Sequence, residues 1–421
     1  MKIKINEINK LEGHISFSAA LDKGDVKSAK ITVEEGARMI EGILIGRNYY
    51  EAPIITARIC GICPVVHNLT SVKALENALD LKVSSYVESL RKVMLSAQII
   101  QSHALHLYFC SLPDFFRLSN NFKLLKKFQE EGKKGIALRN FANKVVEIIG
   151  GRAIHPINSI VGGFNVLPDK SELNELKKKA SQMLKTANEL ANVFEKLKYP
   201  KFSRETEYIS LTDDNEYGYY DGGLRESTRI GKRIDANDFL NLISEVESNG
   251  VEKRTNVNGK SYMIGALARV YNNHTKLSLQ ARKIFNRNKN ELLGYNTFYN
   301  ILAQAIETVH FCEVIENELV GIIKCSSLKR GKGCVIRTDI KLRSGSGSTI
   351  CEAPRGILYH SYELDECGKI INCNIITPTV QFLNNMEDDL LVFLKDKKNL
   401  SPENIKFLVR VYDPCISCAT H

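Results

Sequence analysis

The sequence predicts a helix-rich α+β protein, with a long central helix bundle and antiparallel β-sheets at its periphery. Two observations carry this. Strand-like alternation is confined to residues 2–35, to short pieces of 200–265 and to the stretch after residue 333, while the text between them repeats apolar residues at helical spacing. No internal repeat or low-complexity linker divides the 421 residues, so a single interlocked body over 1–421 is expected. The composition of 43% hydrophobic and 25% charged residues, with 27 Gly and 10 Pro, excludes a collagen-like or disordered chain.

The elements follow in order. KIKINEI, HISFSAAL and VKSAKITVEE read as strands, with LDKGDV as a turn. A helical stretch at Ala37–Gly46 leads to the first cysteine pair, and a second helix runs from Pro64 to about Leu79. Ser84 or Ser85 caps a longer helix whose Val87, Leu90, Val93, Met94, Ala97 and Ile100 share a face. Helices are also expected over 124–150 and 171–198. The latter opens on a capping box, Asp169 and Glu172, and continues Leu173, Leu176, Ala180, Leu184, Ala187 and Ala191. Residues 200–265 turn polar and rich in Tyr and Gly. Helices return near 276–292 and 297–325, and CVIRTDIKL, GILYHSYEL and KIINCNIIT read as strands.

Lys and Arg total 58 against 48 Asp and Glu, a net charge of +10. The excess is spread along helical text such as KLLKKFQEEGKKG without interleaved aromatics, which favours a solvated surface over a nucleic-acid groove. No apolar run reaches the ~18–20 residues that span a bilayer. The start, MKIKINEINKLEGH, has no apolar signal region, so the chain reads as soluble and unexported.

Eleven cysteines dispersed over a chain of this size argue for reduced thiols rather than a disulfide framework. Cys110, Cys312 and Cys325 sit in apolar or mixed helical text and read as small packing residues. Two pairs stand apart: Arg58-Ile-Cys60-Gly-Ile-Cys63-Pro-Val-Val-His67 near one end, and Asp413-Pro-Cys415-Ile-Ser-Cys418-Ala-Thr-His421 at the other. Each CxxC sets two sulfurs on one turn, and two such turns offer four thiolates, a set that suits nickel, zinc or iron–sulfur chemistry. One pair alone would suit a dithiol redox site, and two would suit a structural zinc.

RICGICPVVH and DPCISCATH resemble the two cysteine signatures of the large, catalytic subunit of nickel–iron hydrogenases. Before and between them, in the family's order, stand Leu11-Glu12-Gly13-His14, Ile40-Glu41-Gly42, Ser102-His103-Ala104-Leu105-His106, Gly150-Gly151-Arg152, His155-Pro156 and Glu352-Ala353-Pro354-Arg355-Gly356. The similarity runs from residue 11 to 421.

That resemblance implies a metal centre and its surroundings. Cys60, Cys63, Cys415 and Cys418 would hold nickel, with Cys63 and Cys418 bridging to an iron that carries two cyanides and one carbon monoxide. Cys415 would be the first base in heterolytic cleavage of dihydrogen, and Glu12 the next proton carrier. Arg355, beside Pro354, would hang over the open metal position, held by Asp114 and Asp413, since a buried cation requires carboxylates. His67 would donate to the bridging sulfur of Cys63. Glu41 and His421, with a carbonyl near Ile375–Thr377, would bind a second, hard metal, magnesium or alternatively iron. His103, His106 and His155 read as packing histidines, while Cys351, beside the EAPRG motif, could lie near the site. Large subunits of this family commonly lose a carboxyl extension after the terminal His, and the sequence ends at His421.

No further cysteine motif, GxGxxG or P-loop is present, so electrons would leave through a small subunit with iron–sulfur clusters, and on through further electron-transfer subunits. The wording is most like cytoplasmic hydrogenases coupled to NAD(P), a deazaflavin, a disulfide or ferredoxin. The cytoplasmic face of a membrane, reached through partner subunits, is the alternative. The competing functions are a quinone-coupled or inactive relative in a respiratory-type complex, which generally lacks the four cysteines, and a protein stapled by zinc.

Overall fold

A computed structural model describes residues 2–23, 25–118, 121–227, 233–235, 238–248, 252–327 and 336–421. Four long helices form its centre. Ser85–Leu105 packs on Gln129–Gly150 and on Asn300–Ser327, and Lys170–Glu195 packs on the same two. Their starts obey local rules. The Ser84 hydroxyl accepts the Val87 N–H at 3.4 Å, and Asp169 with Glu172 closes the expected capping box.

The sheets lie around this bundle. Lys2–Ile5, Ile15–Asp22 and Asp25–Val33 form an antiparallel sheet in sequence order. Gly345–Ala353, Gly356–Leu364 and Ile370–Ile376 form a second, against which the helix Pro64–Ala78 packs. A mixed sheet places Tyr262–Met263 beside Glu207–Thr212, followed by Gly223–Glu226 and Arg233–Ile234. No described helix is long and apolar enough to cross a membrane.

Several expectations need correction. The helix expected over 37–46 is only Ile40–Leu44, entered through Met39 in the left-handed region. The helix expected over 124–150 is two, Asn121–Lys127 and Gln129–Gly150, broken at Phe128. The stretch expected over 276–292 contains the helices Leu279–Arg287 and Lys289–Leu292. CVIRTDIKL makes no strand within its described part, where Arg337 contributes only an isolated bridge to Gly163, while Cys334 and Val335 lie outside the described residues. Cys325 is disulfide-bonded, so it is not the packing thiol it was expected to be. Pro378–Phe393 and Pro402–Val411 are helices the sequence reading did not contain.

Candidate metal centre

The first cysteine pair is set by a tight local path. Cys60 leaves the turn Ala57–Ile59 in an extended conformation, and Cys63 precedes Pro64 at the start of its helix. Proline suits that first helical position because its missing N–H is not needed there. The Ile62 N–H donates to the Cys60 Sγ at 3.2 Å. Buried Gln98 clamps the loop from the long central helix, accepting the Val66 N–H at 2.7 Å and donating to the Ile62 carbonyl at 3.4 Å.

The second pair is positioned by the amino-terminal segment and by the helix Pro378–Phe393. The Cys415 N–H donates to the Thr379 hydroxyl at 3.0 Å, and the Thr377 hydroxyl donates to the Cys418 carbonyl at 2.7 Å. Glu12 and Cys415 form a parallel β-bridge, with the Ile416 N–H on the Glu12 carbonyl at 3.1 Å. Gly13 allows this approach: its φ is +85°, and an added Cβ would stand 2.5 Å from the Ile416 Cβ. Arg38 joins the two pairs, donating to the carbonyl of Ile59 at 2.7 Å and to that of Ser417, the residues just before Cys60 and Cys418.

All four sulfurs are buried and lie within 4.8 Å of one another. Sγ to Sγ distances are 3.3 Å for Cys60–Cys415, 3.2 Å for Cys63–Cys418 and 3.2 Å for Cys415–Cys418, and all four cysteines are free. Four thiolates this close repel strongly, so the protein alone does not hold them all ionised. The hydrogen bond from Cys415 holds the Cys60 thiol well below its ordinary range, while burial pushes Cys415 well above. A soft cation removes that conflict by replacing every thiol proton, and four free sulfurs at these separations fit one.

Acid and base groups flank the sulfurs. One carboxylate oxygen of half-buried Glu12 lies 3.2 Å from the Cys415 Sγ and accepts the Ser417 N–H at 2.9 Å, while the other accepts the Ser417 hydroxyl. Arg355 follows the turn at Pro354. Its guanidinium donates to the Asp413 carboxylate at 2.8 Å and to the Asp413 carbonyl, and its Nη1 is buried with no hydrogen-bond partner. Burial alone would lower its pKa. Asp413 and then the Cys415, Cys63 and Cys60 sulfurs outweigh that and keep it charged.

A family profile of nickel-dependent hydrogenases matches residues 38–131 and 252–421, which contain all four cysteines. The chain belongs to the nickel-dependent hydrogenase family. It is 32% identical to the alpha subunit of sulfhydrogenase 1 from Pyrococcus furiosus, over 100% of this chain and 98% of that one. The alpha subunit of sulfhydrogenase 2 from the same organism is 33% identical, over 100% and 99%. Its fold matches the large-subunit fold of an NAD+-reducing NiFe hydrogenase in the H2-reduced state, with a TM-score of 0.89, 26% identity and coverage of 100% and 99%. A NiFeSe hydrogenase from Dm. baculatum, 21% identical with a TM-score of 0.78 over 100% of both chains, shares the fold.

In this hydrogenase chain the expected residues do not all fall as anticipated. Cys60, Cys63, Cys415, Cys418, Glu12, Arg355 and Asp413 come together. Asp114 does not hold Arg355. It accepts from Arg410 at 2.6 Å, an arginine that Asn9 also binds through its carbonyl and its side chain, each at 2.7 Å. His67 meets the sulfur of Cys418 rather than that of Cys63, with 3.6 Å from Nε2 to Sγ. Burial pushes its imidazole down to about 3, so it stays neutral.

Glu41, Ile375 and His421 converge at the carboxyl end. The Glu41 carboxylate accepts the Ile375 N–H at 2.7 Å, and His421 Nε2 lies 2.9 Å from the Ile375 carbonyl oxygen. Lys253 reaches the same carboxylate at 3.1 Å. This donor set of one carboxylate, one carbonyl and one imidazole suits a hard cation with additional water ligands.

The other histidines are tied structurally. His106 lies between the Gln304 side chain and the Arg410 carbonyl at 2.6 and 2.7 Å, and His155 meets the Ala57 carbonyl at 2.9 Å. Cys351 is buried against the Tyr220 carbonyl at 3.6 Å, outside the four-sulfur group. Sequence reasoning missed Arg38, Gln98, Thr377, Thr379 and Ser417. Only Ser417, inside the DPCISC motif, carried a signal that could have exposed it.

Proposed function

We propose that this chain cleaves and forms dihydrogen reversibly as the catalytic large subunit of a nickel–iron hydrogenase and passes electrons to an iron–sulfur small subunit. The observation that carries this reading is the group of four buried, free cysteine sulfurs within 4.8 Å, with a carboxylate at 3.2 Å and, nearby, a guanidinium anchored by Asp413. Cys60, Cys63, Cys415 and Cys418 would hold nickel, and Cys63 and Cys418 would also hold an iron that would carry cyanide and carbon monoxide. When bound, that centre supplies the electron capacity and Lewis acidity for heterolytic splitting.

The chain's own residues manage the proton. Cys415 Sγ holds it first, and Glu12 takes it across 3.2 Å. Ser417 fixes both Glu12 oxygens, so the carboxylate keeps its aim while its half-exposed position opens a route outward. Buried Arg355 keeps a fixed positive charge beside the sulfurs, anchored by Asp413. Glu41, the Ile375 carbonyl and His421 would hold magnesium or iron, which would tie the carboxyl terminus to the sheet beneath it.

A small-subunit partner is supported by exposed apolar side chains along the segment leading to Cys60: Met39, Ile43, Tyr50 and Ile54. Ile154 and Ile157 add to them on the loop that His155 ties to Ala57. Electrons would leave through this face, next to exposed Gly61. We place the enzyme among the cytoplasmic, cofactor-coupled hydrogenases, working with further electron-transfer subunits, and read residues 1–421 as one body closed by the metal. The test is purification with its partner subunits under strict exclusion of oxygen. The expected result is nickel near one per chain, infrared bands of iron-bound cyanide and carbon monoxide, and hydrogen-dependent dye reduction. Zinc alone, without those bands, would overturn the reading.

A further inference from the structure

A second ionic group meets the backbone just before Arg355 and lies outside the four-sulfur group. Arg269, Glu307, Glu352 and His103 are all 0% exposed. Every donor of the Arg269 guanidinium is used. Nε and Nη2 grip Glu307 at 2.6 and 2.7 Å, and Nη1 reaches Glu352 at 2.9 Å. The two remaining donors fall on backbone, with Nη1 on the Ala353 carbonyl at 2.8 Å and Nη2 on the Pro354 carbonyl at 3.0 Å. Those are the two residues before Arg355.

The carboxylates are themselves held. Glu307 accepts from the Tyr217 hydroxyl at 2.7 Å and meets His103 Nε2 at 2.8 Å, and Glu352 accepts the Leu211 N–H at 2.8 Å. Gly265, which precedes the helix that carries Arg269, also lies against the turn, since its added Cβ would stand 3.0 Å from the Arg355 carbonyl oxygen. Burying an arginine with two carboxylates is costly unless the geometry is fixed, and a planar fork with five occupied donors fixes backbone position as a lysine point charge does not.

We infer that Arg269 is a positioning residue, whose cage of Glu307 and Glu352 sets the Ala353–Pro354 backbone and thereby where the Arg355 guanidinium stands over the cysteine sulfurs. This rests on the dihydrogen-cleaving function proposed above. Arg269 never meets the reacting atoms; it acts through Arg355 alone. In Arg269→Lys the charge survives but the bidentate grip and the carbonyl contacts do not. Misplacement of a group by about 1 Å costs roughly 100-fold, so a fall of roughly 10–100-fold in kcat is expected, with the KM for dihydrogen little changed.

The test is a double-mutant cycle in the nickel-loaded complex, combining Arg269→Lys with Arg355→Lys and reading hydrogen oxidation, nickel per chain and the infrared bands. Arg269→Lys is expected to be silent in the Arg355→Lys background, with metal content and bands retained. Additive losses, or a wild-type rate in Arg269→Lys, would overturn the inference. Should Arg269→Lys fail to load nickel, the same cycle is run with Tyr217→Phe. That change deletes one donor to Glu307 and no charge, and a few-fold loss that vanishes beside Arg355→Lys is expected; additivity there also overturns it. A wild-type complex without hydrogen activity would instead refute the proposed function.

Discussion

The Glu12 carboxylate stands 3.2 Å from the Cys415 sulfur, although 403 positions separate the two residues in sequence. The backbone bridge between the same two residues builds the contact, so the carboxylate and the sulfur are held together. Replacing Glu12 with Gln keeps the size and an acceptor for Ser417 but removes the proton carrier. Turnover and hydrogen–deuterium exchange are expected to fall by about 100-fold or more, with nickel content unchanged. Exchange at the full rate in a nickel-loaded Glu12→Gln protein would remove Glu12 from the pathway.

Gly13 governs the same bridge sterically. Its φ of +85° disfavours any other residue, and a Cβ there would stand 2.5 Å from the Ile416 Cβ and 2.7 Å from a Glu35 carboxylate oxygen. Gly13→Ala must therefore push away the segment that carries Cys415 and starts the short helix at Ile416. Metal analysis is expected to show substoichiometric nickel, and thermal unfolding a loss of at least ~1–2 kcal/mol from the backbone conformation alone. Gly42→Ala is the control, since no atom lies within 4 Å of its added Cβ.

Legibility from sequence followed how locally each feature is encoded. The four cysteines, Glu12 and the Arg355–Asp413 pair sit in short motifs whose residue types already specify chemistry. Arg38, Gln98 and Arg269 are single polar residues in ordinary helical or loop text, and their importance arises from partners brought in by the fold. The arginine partner expected of Asp114 was misassigned because two arginines, Arg355 and Arg410, were available and only packing distinguishes them. Among elements, Lys170–Glu195 was readable from its cap and its apolar stripe. Pro378–Phe393 was not, because Thr379, Gln381, Asn385 and Asp389 are buried along with its apolar residues and erase the amphipathic pattern.

The two aspartates are separable by experiment. Asp413→Asn leaves its backbone carbonyl on Arg355 but removes the buried countercharge. Breaking a buried pair in this way costs about 3–5 kcal/mol, and hydrogen oxidation is expected to fall by roughly ten-fold or more. Asp114→Asn instead weakens the Arg410 contact, which Asn9 still supports from two atoms. Its kcat is expected to stay within about three-fold of wild type, since Arg410 is outside the reacting site. An Asp114→Asn defect as deep as that of Asp413→Asn would restore the shared role that the family resemblance implied.

Stability in acid is expected to depend on His310, away from the metal ligands. It is 3% exposed, packs against Tyr217 at 4.5 Å and accepts the Ser278 N–H at Nδ1, 3.1 Å away. Burial pushes the imidazole down from 6.5 to about 4, with nearby Glu307 opposing. The unfolded chain therefore takes up this proton first as pH falls. The folded state keeps its full stability above 6.5 and loses it progressively down to about 4. Between pH 7.5 and 4.5 the loss assignable to this group is on the order of 2–3 kcal/mol. His310→Phe cannot titrate and fills the same apolar space, at a pH-independent cost from the unpaired Ser278 amide. Denaturant midpoints at the two pH values are expected to converge in the variant relative to wild type. Protonation of the cysteines affects both proteins equally and cancels in the comparison, so an identical pH slope in the two would show that folding does not lower the His310 pKa and would overturn this prediction.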